Sequence, residues 1–329
     1  MNRVKLGTLE VSEQGLGCMG MSEFRGHSDW DESVATIQRA ADLGVTFFDT
    51  SDIYGSGHNE VLLGRAVHGF RKKVEIATKF GIDRTGGDLA WTVRGDRAYV
   101  RRACEASLVR METDYIDLYY IHQMPRNAEI EETVGAMAEL VKEGKVRAIG
   151  LSNVTADIVR RACAVAPIAA VQQEYSMWTR EVETITPTMA EFGVGLVPFG
   201  PLGRGFLTGA LEIDKLEDSD LRKVNPRFTG DAAAANQAIV DSVRDVARRY
   251  GVPTSHVALE WVRAQAQRLG VSVVAIPGTK RRRWLEENVA ALDLKLSKQD
   301  LLELDTVADR AVGASFEFQK RVAWSDNKS

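Results

Sequence analysis

Short runs of β-branched and aromatic residues alternate with amphipathic stretches along almost the whole chain, and this alternation limits the fold more than any other feature. Runs with strand character are expected near 11–19, 45–50, 74–79, 115–122, 146–151, 168–173, 195–199 and 271–276. Helical periodicity occupies 31–43, 60–68, 98–111, 130–142, 156–164, 186–192, 234–250, 255–267 and 281–291, and a last amphipathic stretch covers 298–310. Gly44 and Gly144 sit where helices should stop. Strands separated by helices pair in parallel through right-handed crossovers. Eight such units favour a closed (β/α)8 TIM barrel with extra helices; a doubly wound open sheet is the alternative. Segments 81–96, 202–236 and 312–329 fit no core element. The first two directly follow strands, which puts them as long loops on the C-terminal face, where barrel enzymes build their sites. A length of 329 residues suits one large barrel domain spanning 1–329 and buries an ample core without staples.

Charge and cysteine usage narrow the function. A net charge of −4 argues against nucleic acid or an anionic membrane as a partner. Cys18, Cys104 and Cys163 are scattered and odd in number, which reads as reduced thiols in a cytoplasmic protein. The opening residues lack the apolar stretch of a signal peptide, and no run is long enough to span a bilayer. Five histidines form no H-x-H or H-E-x-x-H pair, so no metal site is expected. There is no nucleophile elbow and no P-loop.

The informative residues are polar side chains at strand ends. Asp49 closes Val-Thr-Phe-Phe-Asp, Lys79 closes Val-Glu-Ile-Ala-Thr-Lys, and His122 closes Tyr-Ile-Asp-Leu-Tyr-Tyr-Ile-His; Tyr54 follows Asp49 in the next loop. Three successive strand ends can converge at one barrel mouth. Singly, Asp49 and Lys79 would read as a structural ion pair and Tyr54 as loop packing; four in register point to chemistry.

Seven stretches carry a resemblance. They are Gly-Val-Thr-Phe-Phe-Asp-Thr-Ser-Asp-Ile-Tyr-Gly, Ala-Thr-Lys-Phe, Ile-Asp-Leu-Tyr-Tyr-Ile-His-Gln, Ile-Gly-Leu-Ser-Asn, Gln-Gln-Glu-Tyr-Ser, Pro-Leu-Gly-Arg-Gly-Phe-Leu-Thr-Gly and Ile-Pro-Gly-Thr-Lys. In this order they make the chain resemble the aldo-keto reductase family from about residue 6 to 309, closest to the bacterial and plant branch that opens with Cys-Met-Gly-Met-Ser. The resemblance implies an NADPH-dependent reductase of aldehydes and ketones with the tetrad Asp49, Tyr54, Lys79 and His122. Tyr54 would protonate the developing alkoxide, Lys79 would lower its pKa, Asp49 would hold Lys79, and His122 would bind the carbonyl oxygen.

Further residues follow from the same resemblance. Ser152, Asn153 and Gln172 would meet the nicotinamide carboxamide, although Ser152-Asn153 also reads as a helix N-cap. Phe199, where relatives more often carry Tyr, would stack on the ring; Gly200 replaces a commoner Ser. Gly17, Met19, Leu202, Arg204 and Gly278 would line the cofactor. Glu287 and Asn288 would touch adenine. Lys280, Arg281, Arg282 and Arg283 gather at a helix start, against the usual acidic preference there, as expected if the 2′-phosphate docks. A solvated charge run is the alternative, and Trp284 replaces the Arg or Gln of many relatives. Among Phe24, Trp91, Trp178, Phe318 and Trp324, Trp91 is the preferred substrate-pocket residue because its loop follows Lys79. Cys18 reads as an inert thiol near the mouth. The expected partner is a small carbonyl compound and the expected state a monomer. A cofactor-binding regulatory subunit, or a barrel isomerase without nicotinamide, would share this fold.

Overall fold

A computed structural model describes residues 1–86 and 91–314. The chain opens with an antiparallel hairpin, β1 (Arg3–Leu6) and β2 (Leu9–Ser12), turned over Gly7-Thr8 with Gly7 at φ 57°. The barrel strands follow. They are β3 (Leu16–Gly17), β4 (Phe47–Asp49), β5 (Glu75–Phe80), β8 (Ile116–Ile121), β9 (Val146–Ser152), β10 (Ile168–Glu174) and β11 (Gly195–Phe199), all parallel and in sequence order across one sheet. A small hairpin, β6 (Ile82–Asp83) with β7 (Thr92–Val93), rises from the loop after β5.

The eighth strand is not a regular one. Where the sequence suggests a strand over 271–276, the backbone makes single bridges: Val273 to Leu196 of β11 on one side, Ala275 to Gln14 and Gly278 to Gly17 on the other. These bridges join the two edge strands, so the sheet closes and the fold is a (β/α)8 TIM barrel. Pro277, which has no N–H, ends the segment, and pairing to both sides is intermittent. The expected first strand over 11–19 is likewise a correction. Its first part belongs to the hairpin, whose Leu6, Leu9 and Val11 pack with the barrel-lining Phe47, Ala77, Leu118, Val197 and Val274. The hairpin therefore plugs the N-terminal end of the barrel.

Helices cover the outside: α1 (Trp30–Asp42), α2 (His58–Val67), α3 (Arg97–Met111), α4 (Ile130–Lys142), α5 (Ala156–Val165), α6 (Thr186–Glu191), α7 (Gly230–Tyr250), α8 (Thr254–Leu269), α9 (Arg282–Ala290) and α10 (Lys298–Asp305). Local chemistry explains their limits. Asp29 caps α1 by accepting from the Glu32 amide, and Asp96 caps α3 by accepting from that of Tyr99. Gly144 at φ 76° follows α4. Outward-facing strand residues such as Phe48, Ile76, Phe80 and Tyr119 form the large core shared with these helices. The segment 202–229 carries three short 3-10 turns rather than long helix, and folds over the C-terminal mouth.

Candidate active site

Strand alternation builds the site. Side chains two residues apart share a face, and the inward series runs Phe47-x-Asp49 on β4, Ala77-x-Lys79 on β5, and Leu118-x-Tyr120-x-His122 on and just past β8. Gly150-x-Ser152 on β9, Ala170-x-Gln172 on β10 and Val197-x-Phe199 on β11 continue it. The lower members fill the barrel, and the next members toward the C-terminal end are the polar site. The register agrees: Asp49 lies opposite Ala77, Lys79 opposite Tyr120, and Ser152 opposite Gln172.

At the centre, the Lys79 ammonium is fully buried and contacts the Asp49 carboxylate at 2.5 Å, the Thr50 carbonyl at 2.7 Å and the Tyr54 hydroxyl at 3.3 Å. The second Asp49 oxygen accepts from the Gln172 amide at 2.7 Å. Burial pulls Lys79 down, but Asp49 and Tyr54 outweigh it and hold the ammonium above the usual lysine range. Burial also pushes Asp49 up against the pull of Lys79. With an amide and an ammonium both donating to the carboxylate, an ion pair describes the contact. Tyr54 corrects the sequence expectation. Lys79 does act to lower its pKa, but burial outweighs the cation and the phenol lies above its usual value. It therefore stays protonated over the physiological range. The His122 ring stands edge-on to Tyr54 at 6.0 Å and is held well below the usual imidazole range by burial and by Lys79, so it is neutral.

A cavity of about 760 Å³ opens above these groups, within the roughly 300–1,000 Å³ of small-molecule sites. Asp49, Tyr54 and His122 line it; Lys79 lies beneath. Ser152, Asn153, Gln172 and Phe199 line the same end, and Gly17, Met19, Leu202, Arg204, Gly278, Lys280 and Arg281 line its continuation. Ser152 and Asn153 do not cap a helix: Thr155 caps α5 instead, accepting from Ile158. Asn153, at φ 56°, points its amide at the His122 carbonyl and at Ser152 Oγ. Trp91, Glu287 and Asn288 do not line the cavity. Trp91 is buried beneath the Arg84 guanidinium, 4.1 Å above its ring, in a cluster with Ile53, Tyr54 and Ile82. Glu287 accepts from Ser255, and Asn288 accepts from Gln14 through its carbonyl. Trp178 stacks on Phe206 and Phe228 in the core, whereas Phe24 does line the cavity. Phe318 and Trp324 lie outside the described residues. Cys18 is fully buried, and burial raises its thiol far above the reactive range.

The cationic end differs in detail from the expectation. Lys280 donates to the carbonyls of Arg25 (2.8 Å) and His27, so it pins the 25–27 loop. Arg282 pairs with Glu32 at 2.8 Å, and the Arg282 amide also donates to Glu32, placing a carboxylate at the start of α9. Arg283 lies over Trp284 at 4.5 Å. Among the described residues the Arg281 side chain makes no hydrogen bond or ion pair, and it faces the cavity. Two arginines of the cavity escape sequence reasoning. Among the described residues Arg25 donates only to the Phe24 carbonyl (2.9 Å), and it is pulled down to about 9 by burial and by the charges of Arg222 and Arg204. Arg222 pairs with Asp220 at 2.6 Å. No sequence run marked them, because their loops meet only in three dimensions: Leu221 donates to the Phe24 carbonyl and His27 to Glu217.

Residues 15–309 match the Aldo/keto reductase family. The chain belongs to this family. It is 42% identical over 307 residues to probable aldo-keto reductase 1 of Glycine max, covering 92% of this chain and 87% of that one. The glycerol dehydrogenase of Gluconobacter oxydans superposes with a TM-score of 0.84 at 26% identity, covering 95% of this chain and 96% of the other. An aldo/keto reductase of Klebsiella pneumoniae, solved with NADP and acetate, superposes at 0.71 with 27% identity over 91% and 92% of the two chains. Membership makes this aldo-keto reductase an oxidoreductase that uses a nicotinamide cofactor. Among the described residues no helix is long and apolar enough to cross a membrane, and no group of three or more His, Cys, Asp or Glu is placed to hold a metal ion.

Proposed function

We propose that this aldo-keto reductase reduces aldehydes and ketones to alcohols with NADPH, with Tyr54 as the proton donor. The observation that carries the reading is the contact chain Gln172–Asp49–Lys79–Tyr54 beneath a cavity that His122 also lines. The donor set fits the cofactor. Gln172 spends its amide on Asp49 and keeps Oε1 as an acceptor; Ser152 Oγ accepts from Asn153 and keeps its own hydrogen to donate. Together they match one amide hydrogen and the carbonyl of a carboxamide. Phe199 offers a ring face beside them, and Arg25, Arg204 and Arg281 supply positive charge along the continuation, where phosphates would lie. Bound, the cofactor supplies the hydride.

The protein supplies the rest. A carbonyl oxygen held between Tyr54 and His122 gains negative charge as its carbon is reduced. Tyr54, protonated because burial keeps its pKa high, delivers the proton at that oxygen. Lys79 disperses the charge left on the phenolate, and Asp49 keeps Lys79 in place. Neutral His122 orients the oxygen without competing for the proton. We take the protein further to be a cytoplasmic monomer of one domain over 1–329, consistent with its free thiols. Fluorescence titration with NADPH and with NADH, followed by absorbance loss over a panel of aldehydes and ketones, tests the central reading. Tight NADPH binding with turnover supports it. Binding without turnover on any carbonyl refutes the reductase assignment, and no binding refutes the cofactor assignment.

A further inference from the structure

His122 has a partner on one side of its ring only. Nδ1 lies 3.1 Å from Ser51 Oγ, whereas Nε2 has no hydrogen bond within the described protein and the ring faces the cavity. A neutral imidazole carries one hydrogen, and only the form with that hydrogen on Nε2 can donate to a carbonyl oxygen above it. Ser51, itself fully buried, therefore occupies a deciding position. Its oxygen accepts from the Ile53 amide (3.4 Å), and its single hydrogen has three acceptors in reach: His122 Nδ1 at 3.1 Å, the Lys79 carbonyl at 3.3 Å and Asp52 Oδ1 at 3.3 Å. If Ser51 donates to His122, the imidazole hydrogen must sit on Nε2. If Ser51 donates to Asp52, His122 turns its hydrogen inward, and the cavity meets a lone pair that repels a carbonyl oxygen.

Asp52 decides between the two. An ionised carboxylate would claim the serine hydrogen; a protonated one donates to Ser51 Oγ and releases that hydrogen to His122. The surroundings favour the acid. Burial, and next the negative charge of Glu60, raise the Asp52 carboxyl well above its usual range, with Arg110 opposing. Glu60 is fully buried, accepts from Thr78 at 2.6 Å and pairs with Arg110 at 2.6 Å, so the guanidinium is engaged by Glu60 first. On the other flank the Lys79 ammonium acts against a charged imidazole.

We propose that Ser51 is a positioning residue for carbonyl reduction: it donates to Nδ1 of His122 and so holds the imidazole hydrogen on Nε2, facing the substrate oxygen. The proposal rests on the reductase reading for its purpose but not for its test. Long-range proton–nitrogen NMR of the uniformly 15N-labelled full chain at neutral pH reads the tautomer directly, with His122 assigned by the signals lost in His122→Gln. The expected wild-type spectrum shows a protonated Nε2 and a bare Nδ1. Ser51→Ala should move the population toward Nδ1–H and lower kcat by roughly 10-fold, a fraction of the ~10²–10³ that loss of an oxyanion donor costs, with NADPH affinity unchanged. Ser51→Thr, which keeps the hydroxyl, should restore both. A protonated Nδ1 in the wild type overturns the proposal, and so does a Ser51→Ala protein with unchanged tautomer and kcat. The wild-type spectrum decides even if the alanine variant folds poorly. An Nε2–H tautomer in a protein that reduces no carbonyl would leave the relay standing and remove only the reductase reading.

Discussion

Replacing Lys79 with methionine tests the site as an electrostatic unit. The side chain is fully buried, and its ammonium touches Asp49 at 2.5 Å and the Thr50 carbonyl at 2.7 Å. Methionine fills much of the volume but leaves a buried carboxylate with the Gln172 amide as its remaining side-chain partner. Removing one member of a buried pair costs about 3–5 kcal/mol, chiefly because the other charge is left uncompensated. Asp49→Asn in the same background removes that charge, so the double variant should regain about 2–3 kcal/mol relative to additivity. The sign of the pH response follows from burial. Without Lys79, the Asp49 pKa in the folded state is raised further above its unfolded value, so the fold binds a proton the unfolded chain does not. That stability is fully present below the ordinary carboxylate range and is lost as pH rises through the raised folded value. Urea unfolding of wild type, both single variants and the double variant, across mildly acidic to mildly alkaline pH, provides the measurement. Additive losses, or a Lys79→Met protein no less stable than wild type at neutral pH, would refute the buried ion pair. Turnover should not recover in the double variant, because Tyr54 still lacks its cation.

Other outcomes follow from the same geometry. Tyr54→Phe should leave NADPH binding nearly intact while carbonyl reduction falls by ~10²–10⁴, the usual worth of a positioned proton donor; near-normal turnover would remove Tyr54 from that role. Because burial raises the Tyr54 pKa, reduction needs a proton that stays in place up to and beyond ~10. The reductive kcat should therefore stay level through neutral and mildly alkaline pH and fall only above that, while alcohol oxidation climbs; a reductive profile breaking near neutrality would contradict it. Arg281→Ala should weaken NADPH more than NADH, read by fluorescence titration. Lys280→Ala should weaken both, since Lys280 anchors the 25–27 loop; the reverse pattern would return the phosphate contact to Lys280. Arg25→Ala should weaken both cofactors by roughly 10- to 100-fold, as expected for a lost charge-assisted contact of about 1.5–3 kcal/mol; equal affinity would show that Arg25 faces no phosphate.

The barrel and the convergence of Asp49, Tyr54, Lys79 and His122 at its mouth were legible because both are written with short periods. A two-residue alternation carries Ala77 to Lys79 and Tyr120 to His122 on one face, and a polar residue breaking an apolar run at its end shows up in one dimension. What the sequence concealed is what depends on pairing between distant segments. The N-terminal hairpin did leave a mark, Gly7-Thr8 between Arg-Val-Lys-Leu and Leu-Glu-Val-Ser, the two-residue turn of a hairpin. The run at 280–283 displayed its cations in the sequence but not what each of them meets. Lys280 is drawn onto carbonyls 255 and 253 residues away and Arg282 onto Glu32, partners that no local reading selects. Arg25 and Arg222 were invisible for the same reason: each is an isolated arginine in a loop, and their mutual repulsion exists only once the two loops close over one cavity. Ser51 is the sharpest case. It sits two residues past Asp49 inside the most informative motif in the chain, yet a serine there reads as a turn residue. Its meaning comes from the His122 ring 71 positions on. Residues whose chemistry needs only their own strand are therefore readable from sequence, whereas residues that tune a neighbour's hydrogen or charge become visible when the second strand is in place.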